Sequence, residues 1–107
     1  MKAMILAAGL GKRLMPLTQH TPKPLIKVGN QSLIERNILL LQQNGISEIL
    51  INVSYLGDMI IDYVSHKFPK LNVSFSQEEK PLGTGGAILN ALPFFDEEPF
   101  LLMNADI

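Results

Sequence analysis

An α/β fold built on a mostly parallel sheet is what this sequence predicts, and three observations predict it. Short strand-like runs occupy residues 3–8, 48–53, 72–76 and 99–103, the third alternating and the others largely apolar. A segment of helical period lies between each consecutive pair, at 32–44, 58–68 and 84–92. The first and last runs are apolar throughout, as strands are when helices cover both sides of their sheet. Alternation of this kind predicts right-handed crossovers and a three-layer αβα sandwich.

The elements follow in order. Residues 3–8 (AMILAA) stop at Gly9 and read as a buried strand. From Gly9 to Gln31 no apolar period survives, so this stretch is expected to be a structureless loop, and loops of that length inside a domain are usually functional or disordered. Ser32 is a good helix N-cap with Glu35 three positions on, the capping-box pair. Leu33, Ile34, Ile38 and Leu41 then keep helical spacing until Gly45 closes the element. Residues 48–53 (EILINV) form the second strand. Residues 58–68 form a helix with Met59, Ile60, Tyr63, Val64 and Phe68 on one face, stopped by Pro69. Residues 72–76 (NVSFS) alternate as a strand should. A glycine-rich turn at 81–86 leads into a helix ending at Pro93, and residues 99–103 (PFLLM) make the last strand.

Composition narrows the function. Hydrophobic residues make up 47% of the chain and charged residues 18%, which is a globular composition. The formal net charge of −1 gives no field for nucleic acid or an anionic membrane, so a phosphate ligand needs a local grip. With no cysteine, disulfides, thiolate metal sites and a cysteine nucleophile are excluded, and the expected setting is a reducing cytoplasm. No apolar run approaches the ~20 residues that span a bilayer. His20 and His66 lack ligand spacing and read as surface residues.

The loop after the first strand, Gly9-Leu10-Gly11-Lys12-Arg13, is the main chemical feature. In open parallel sheets ligands bind beyond the carboxyl ends of the strands, which is where this loop begins. Glycines let backbone N–H groups approach phosphate oxygens, and Arg13 can make a planar two-point contact with them. The dinucleotide pattern G-x-G-x-x-G fails because Leu14 holds the last position. The Walker pattern fails because Leu6 stands where its first glycine belongs and Arg13 follows Lys12. By composition alone, a phosphate loop and a plain solvated turn are equally good readings.

Three further segments break that tie. The run from Leu6 to Leu14 (LAAGLGKRL), then Pro16-Leu17-Thr18 and Pro22-Lys23-Pro24-Leu25, resembles the signature of the sugar-1-phosphate nucleotidyltransferase family. Gly83-Thr84-Gly85-Gly86 resembles that family's second nucleotide-binding turn, and Asn104-Ala105-Asp106 its metal-binding strand end. The resemblance covers the whole chain in the family's order. It implies the Rossmann-like αβα fold of nucleotide-diphospho-sugar transferases, with residues 1–107 forming the N-terminal nucleotide-binding half of a longer catalytic domain.

The implied reaction transfers a nucleoside monophosphate from UTP or GTP to a sugar 1-phosphate and releases pyrophosphate. The resemblance assigns catalysis to Arg13, on the triphosphate, and Lys23, on the α-phosphate or the sugar phosphate. The two prolines around Lys23 are expected to hold it on a stiff, extended segment. Nucleotide contacts fall to Leu6, Ala8, Gly9, Gly11, Lys12, Arg13, Glu78 (or Glu79), Gly83 and Gly85, and Mg2+ to Asp106. Leucine and alanine at 6 and 8 are equally plain core residues, and Glu78 and Glu79 are equally a solvated strand end. The other reading is a nucleotide-binding regulatory module without sugar chemistry. The expected partners are a nucleoside triphosphate and a sugar 1-phosphate, with neither nucleic acid nor membrane. The last strand lacks a cover on one side, which predicts pairing with another copy, a swapped dimer, or more chain. Residues 1–107 alone are expected to turn over poorly.

Overall fold

The computed structural model describes residues 2–8, 21–54, 56–78, 83–96 and 98–105. Strand β1 is Lys2–Leu6. A single 3-10 turn at Lys23–Leu25 precedes two short strands, β2 (Lys27–Val28) and β3 (Gln31–Ser32). Helix α1 (Leu33–Gln43), β4 (Glu48–Val53), α2 (Gly57–Lys67), β5 (Asn72–Gln77), α3 (Gly83–Phe95) and β6 (Phe100–Asn104) complete the order. The main sheet runs β5-β4-β1-β6 with every pairing parallel.

That strand order dictates the layers. From β1 the chain steps outward to β4 and then β5, and it afterwards crosses back past β1 to β6. Crossovers of one hand put helices on opposite faces when the direction reverses. Accordingly, α1 and α2 pack with Ala3, Ile5, Ile49, Ile51 and Val53 on one face. Helix α3 packs Ala87, Ala91 and Phe95 against Met4 and Leu50 on the other. Among the described residues no helix is long and apolar enough to cross a membrane.

Local chemistry explains the element ends. Ser32 Oγ accepts the Glu35 N–H at 3.1 Å and caps α1. The far end of α1 closes with Gly45 N–H to Gln42 O and Ile46 N–H to Leu41 O, a Schellman arrangement in which Gly45 takes φ +78. Gly57 opens α2 for a different reason: a Cβ there would lie 2.9 Å from Val53 Cγ2, so the helix could not come so close to β4. The residue before it, Leu56, is left-handed at φ 53.

Several expectations are corrected. The stretch expected to be structureless contains the β2–β3 hairpin, whose turn Gly29-Asn30 puts Gly29 at φ +70, a conformation glycine adopts freely. The segment around Lys23 is a 3-10 turn, not extended: Leu25 N–H bonds Pro22 O at 2.9 Å. Pro22 and Pro24 are buried there and Leu25 packs on the core, so packing overrides the bias proline exerts on the residue before it. The capping box is half formed, because the Glu35 carboxylate turns to Tyr63 and Lys67. Met59 is exposed, not on the buried face of α2. Finally, α3 runs through Pro93 to Phe95. The missing bond would have used the carbonyl of exposed Leu89, which water can satisfy, and the extra turn stacks Phe95 on Phe100 at 3.7 Å.

Candidate functional site

The sheet reverses direction between β1 and β6, and ligands of doubly wound sheets sit at such a switch point, outside the carboxyl ends of the strands. Ala105 N–H bonds Leu6 O at 3.0 Å there, joining the two strand ends across the crevice. Three described elements deliver expected site residues to this edge. Strand β1 ends at Leu6 and continues to half-buried Ala8, β5 leads directly to Glu78, and α3 opens at Gly83. Helix α3 begins where β5 has just ended, so its partly positive N-terminus faces the same edge.

A polar network ties these ends together. Asn52, near the end of β4, is 2% exposed. Its Oδ1 accepts the N–H of Ala7 at 2.6 Å and of Ala8 at 3.4 Å, and its Nδ2 donates to Glu78 Oε1 at 3.2 Å. Glu78 is 7% exposed and its own N–H bonds Val53 O, so it is not the solvated strand end that was one of its two readings. Asn37, on the second turn of α1, is equally buried and donates to Asn104 O at 3.3 Å.

Gly85 needs separate mention. Among the described residues a Cβ added there would meet no atom within 4 Å, so none of them requires a glycine at this position. Lys23 is placed only by its backbone, in the turn packed beside α1. Gly9, Gly11, Lys12, Arg13, Glu79 and Asp106 lie outside the described residues. His66 is exposed and bonds Asp62 O through Nδ1 within α2.

A second network lies on the α1–α2 side. Tyr63 donates to Glu35 Oε1 at 2.8 Å, accepts from Ser32 Oγ at 3.2 Å, and Lys67 stands 3.9 Å from Glu35 Oε2. Burial pushes the Tyr63 hydroxyl above its usual pKa; Ser32 works against that and Glu35 adds to it. This network joins α2 to the start of α1 and to β3, which pairs with the strand that follows the Lys23 turn.

Asn52 and Asn37 were not singled out by the sequence reading. A signal for each existed: asparagine is depleted in strands yet interrupts the apolar run EILINV, and position 37 falls on the apolar stripe of α1.

A four-stranded parallel sheet with helices on both faces and a buried polar network at the carboxyl ends of its strands defines a doubly wound α/β domain. Within that class the sequence matches the nucleotidyl transferase family over residues 2–107, and the chain belongs to it. It is similar to an N-acetylmuramate alpha-1-phosphate uridylyltransferase of Neisseria meningitidis, with 44% identity over all of this chain and 47% of that protein. A mannose-1-phosphate guanyltransferase of Schizosaccharomyces pombe is 37% identical over all of this chain and 31% of its own length. The crystal structure of HddC from Yersinia pseudotuberculosis complexed with GMP-PN superposes with a TM-score of 0.85 at 37% identity, covering 98% of this chain and 47% of that one. The chain thus spans less than half the length of each of these relatives.

Proposed function

We propose that this chain is the N-terminal, nucleotide-binding half of a sugar-1-phosphate nucleotidyltransferase domain. The observation that carries the reading is the joining of the β1 and β6 ends at the switch point. Strand β1 leads from it towards Gly9–Arg13, and β6 leads from it towards Asp106, in the family's order.

In the proposed reaction a phosphate oxygen of the sugar 1-phosphate attacks the α-phosphorus of a nucleoside triphosphate in line. The new phosphorus–oxygen bond forms as the bond to the β-phosphate breaks, and pyrophosphate leaves with the electron pair. The attacking phosphate is already ionised, so neither a protein nucleophile nor a general base is needed. Catalysis then rests on position and on neutralising charge. Arg13 takes the triphosphate and the departing pyrophosphate, and Lys23 the α-phosphate or the incoming sugar phosphate. The backbone at Gly9, Gly11, Gly83 and Gly85 approaches the nucleotide, and the open space at Gly85 supports that role.

Magnesium belongs to the same reading. It takes hard oxygen ligands, often one or two carboxylates with substrate phosphates. Among the described residues no group of three His, Cys, Asp or Glu could hold a metal, so Asp106 with phosphate oxygens is the proposed donor set. The approach to it fits: Asn37 holds the Asn104 carbonyl and Leu6 holds the Ala105 N–H at the crevice. Bound there, the ion would draw charge from the triphosphate. Base and sugar are proposed to be among those named for the relatives, uridylyl on an N-acetylmuramyl phosphate or guanylyl on a mannosyl phosphate, in the cytoplasm.

Titration of purified protein with UTP and GTP tests the reading. Charge-assisted hydrogen bonds contribute about 1.5–3 kcal/mol each. Arg13→Ala/Lys23→Ala is therefore expected to weaken the preferred nucleotide by roughly a hundredfold or more. Unchanged affinity for both nucleotides would overturn it. Pyrophosphate release with a sugar phosphate by the longer catalytic domain then separates a transferase from a nucleotide-binding regulatory module.

A further inference from the structure

The Asn52 side chain touches two places that the sheet keeps apart. Strands β1 and β5 are not neighbours; β4 lies between them, so their carboxyl ends stand about 10 Å apart, two inter-strand spacings. In register, Asn52 faces Leu6 on one side and Ser76 on the other. From there its amide oxygen receives the N–H groups of Ala7 and Ala8, and its amide nitrogen reaches the Glu78 carboxylate.

The orientation of this amide is forced. Main-chain N–H groups only donate, so oxygen must face Ala7 and Ala8; a carboxylate only accepts, so nitrogen must face Glu78. No other side-chain type of this size supplies an acceptor on one side and a donor on the other. Leucine would take this acceptor from the Ala8 N–H, leave the Ala7 N–H only its main-chain bond to residue 52, and remove one donor to the buried Glu78 carboxylate. Aspartate would keep the acceptor but set a second carboxylate against Glu78, and two carboxylates at that distance cannot both ionise without strong repulsion.

We propose that Asn52 is a positioning residue of the nucleotide site, a clamp that sets the exit of the phosphate loop at Ala8 relative to the exit of β5 at Glu78. The inference rests on the nucleotide-binding reading above and deepens it. The phosphate end of the ligand is held by the segment that leaves β1, and the base end is met at the segment that leaves β5. One buried amide bridges the two exits, alongside the main-chain bonds of Ala7 N–H to Asn52 O and Glu78 N–H to Val53 O, and it is what the Ala8 N–H bonds where β1 gives way to the proposed phosphate segment. At 2% exposed, Asn52 acts through these neighbours.

The reciprocal swap Asn52→Asp/Glu78→Gln provides the test. It keeps the acceptor for Ala7 and Ala8, reverses the side-chain bond so that the new glutamine amide donates to the new carboxylate, and leaves net charge unchanged. Wild type, Asn52→Asp, Glu78→Gln and the swap are titrated with UTP, GTP and inorganic tripolyphosphate, with thermal melts to establish folding. Tripolyphosphate carries no base, so it reports the phosphate end whatever Glu78 does to base selection. Asn52→Asp is expected to bind all three ligands roughly tenfold or more weakly. The swap is expected to regain tripolyphosphate affinity to within about threefold of Glu78→Gln. Wild-type affinity in folded Asn52→Asp would overturn the clamp, as would a swap that binds tripolyphosphate no better than Asn52→Asp. Should Asn52→Asp fail to fold, a swap roughly tenfold weaker than Glu78→Gln overturns it and an equal one supports it. Wild type that binds none of the three ligands would remove the nucleotide reading itself and the clamp with it.

Discussion

The two faces of the sheet are built very differently. On one, α1 and α2 close over Ala3, Ile5, Ile49, Ile51 and Val53, all fully buried. On the other, α3 alone shelters Met4 and Leu50, while Leu89 is 70% and Leu102 42% exposed. Geometry accounts for the difference. Four strands span about 14 Å between their outer axes, and one helix is about 10 Å across with its side chains. Two helices roof the inner strands of such a sheet, leaving Leu101 of β6 43% exposed on their face, and one helix covers less. Strand β6 lies at the rim, bonded to β1 and to no other strand among the described residues. The closed face is a scaffold, and the Asn52 clamp belongs to the less covered side, since Asn52 shares the face of Leu50.

The largest effect that would break this contrast lies in the closed core. Ile51→Ala is expected to cost about 2–5 kcal/mol in urea unfolding, whereas Leu92→Ala, on the exposed side of α3, should stay within about 0.5 kcal/mol. Similar losses at the two positions would erase the distinction.

A smaller effect sharpens it. Tyr63→Phe removes the donor to Glu35, which is 8% exposed, and should cost about 1 kcal/mol near neutral pH. The raised Tyr63 pKa fixes the sign of the pH dependence. The folded state holds the phenolic proton more tightly than the unfolded state does, so this contribution is complete below pH 10 and declines as pH rises above it. Unfolding curves should show that alkaline decline in wild type and less of it in Tyr63→Phe. An identical decline in both proteins would remove Tyr63 as its source.

The smallest stability change is expected at the rim. Leu102→Gln should leave unfolding within about 0.5 kcal/mol of wild type. It should reduce self-association at high concentration by light scattering, because the exposed edge of β6 is the surface expected to pair. A wild-type protein that stays monomeric at high concentration would count against that pairing.

Legibility followed the range of the interactions. Strand and helix positions were readable because apolar spacing records which side chains face a core, and the caps at Ser32 and Gly45 are set within a few residues. The hairpin at Lys27–Ser32 was readable too, from its Gly29-Asn30 turn, and was passed over inside a loop. Pro93 misled because a local rule was applied where Phe95 had a distant partner in Phe100. The candidate residues Arg13, Lys23 and Asp106 were legible as motif members, since spacing along the chain survives in sequence.

Sequence alone therefore determined the alternation of strands and helices, the family, and the motif residues proposed to meet a triphosphate, because each is encoded by neighbours along the chain. Only the tertiary structure decided the strand order β5-β4-β1-β6, the burial of Glu78 and the partners of Asn52 and Asn37. Those depend on contacts between residues 24 to 98 positions apart, and a contact of that span exists only once the sheet has brought its ends together.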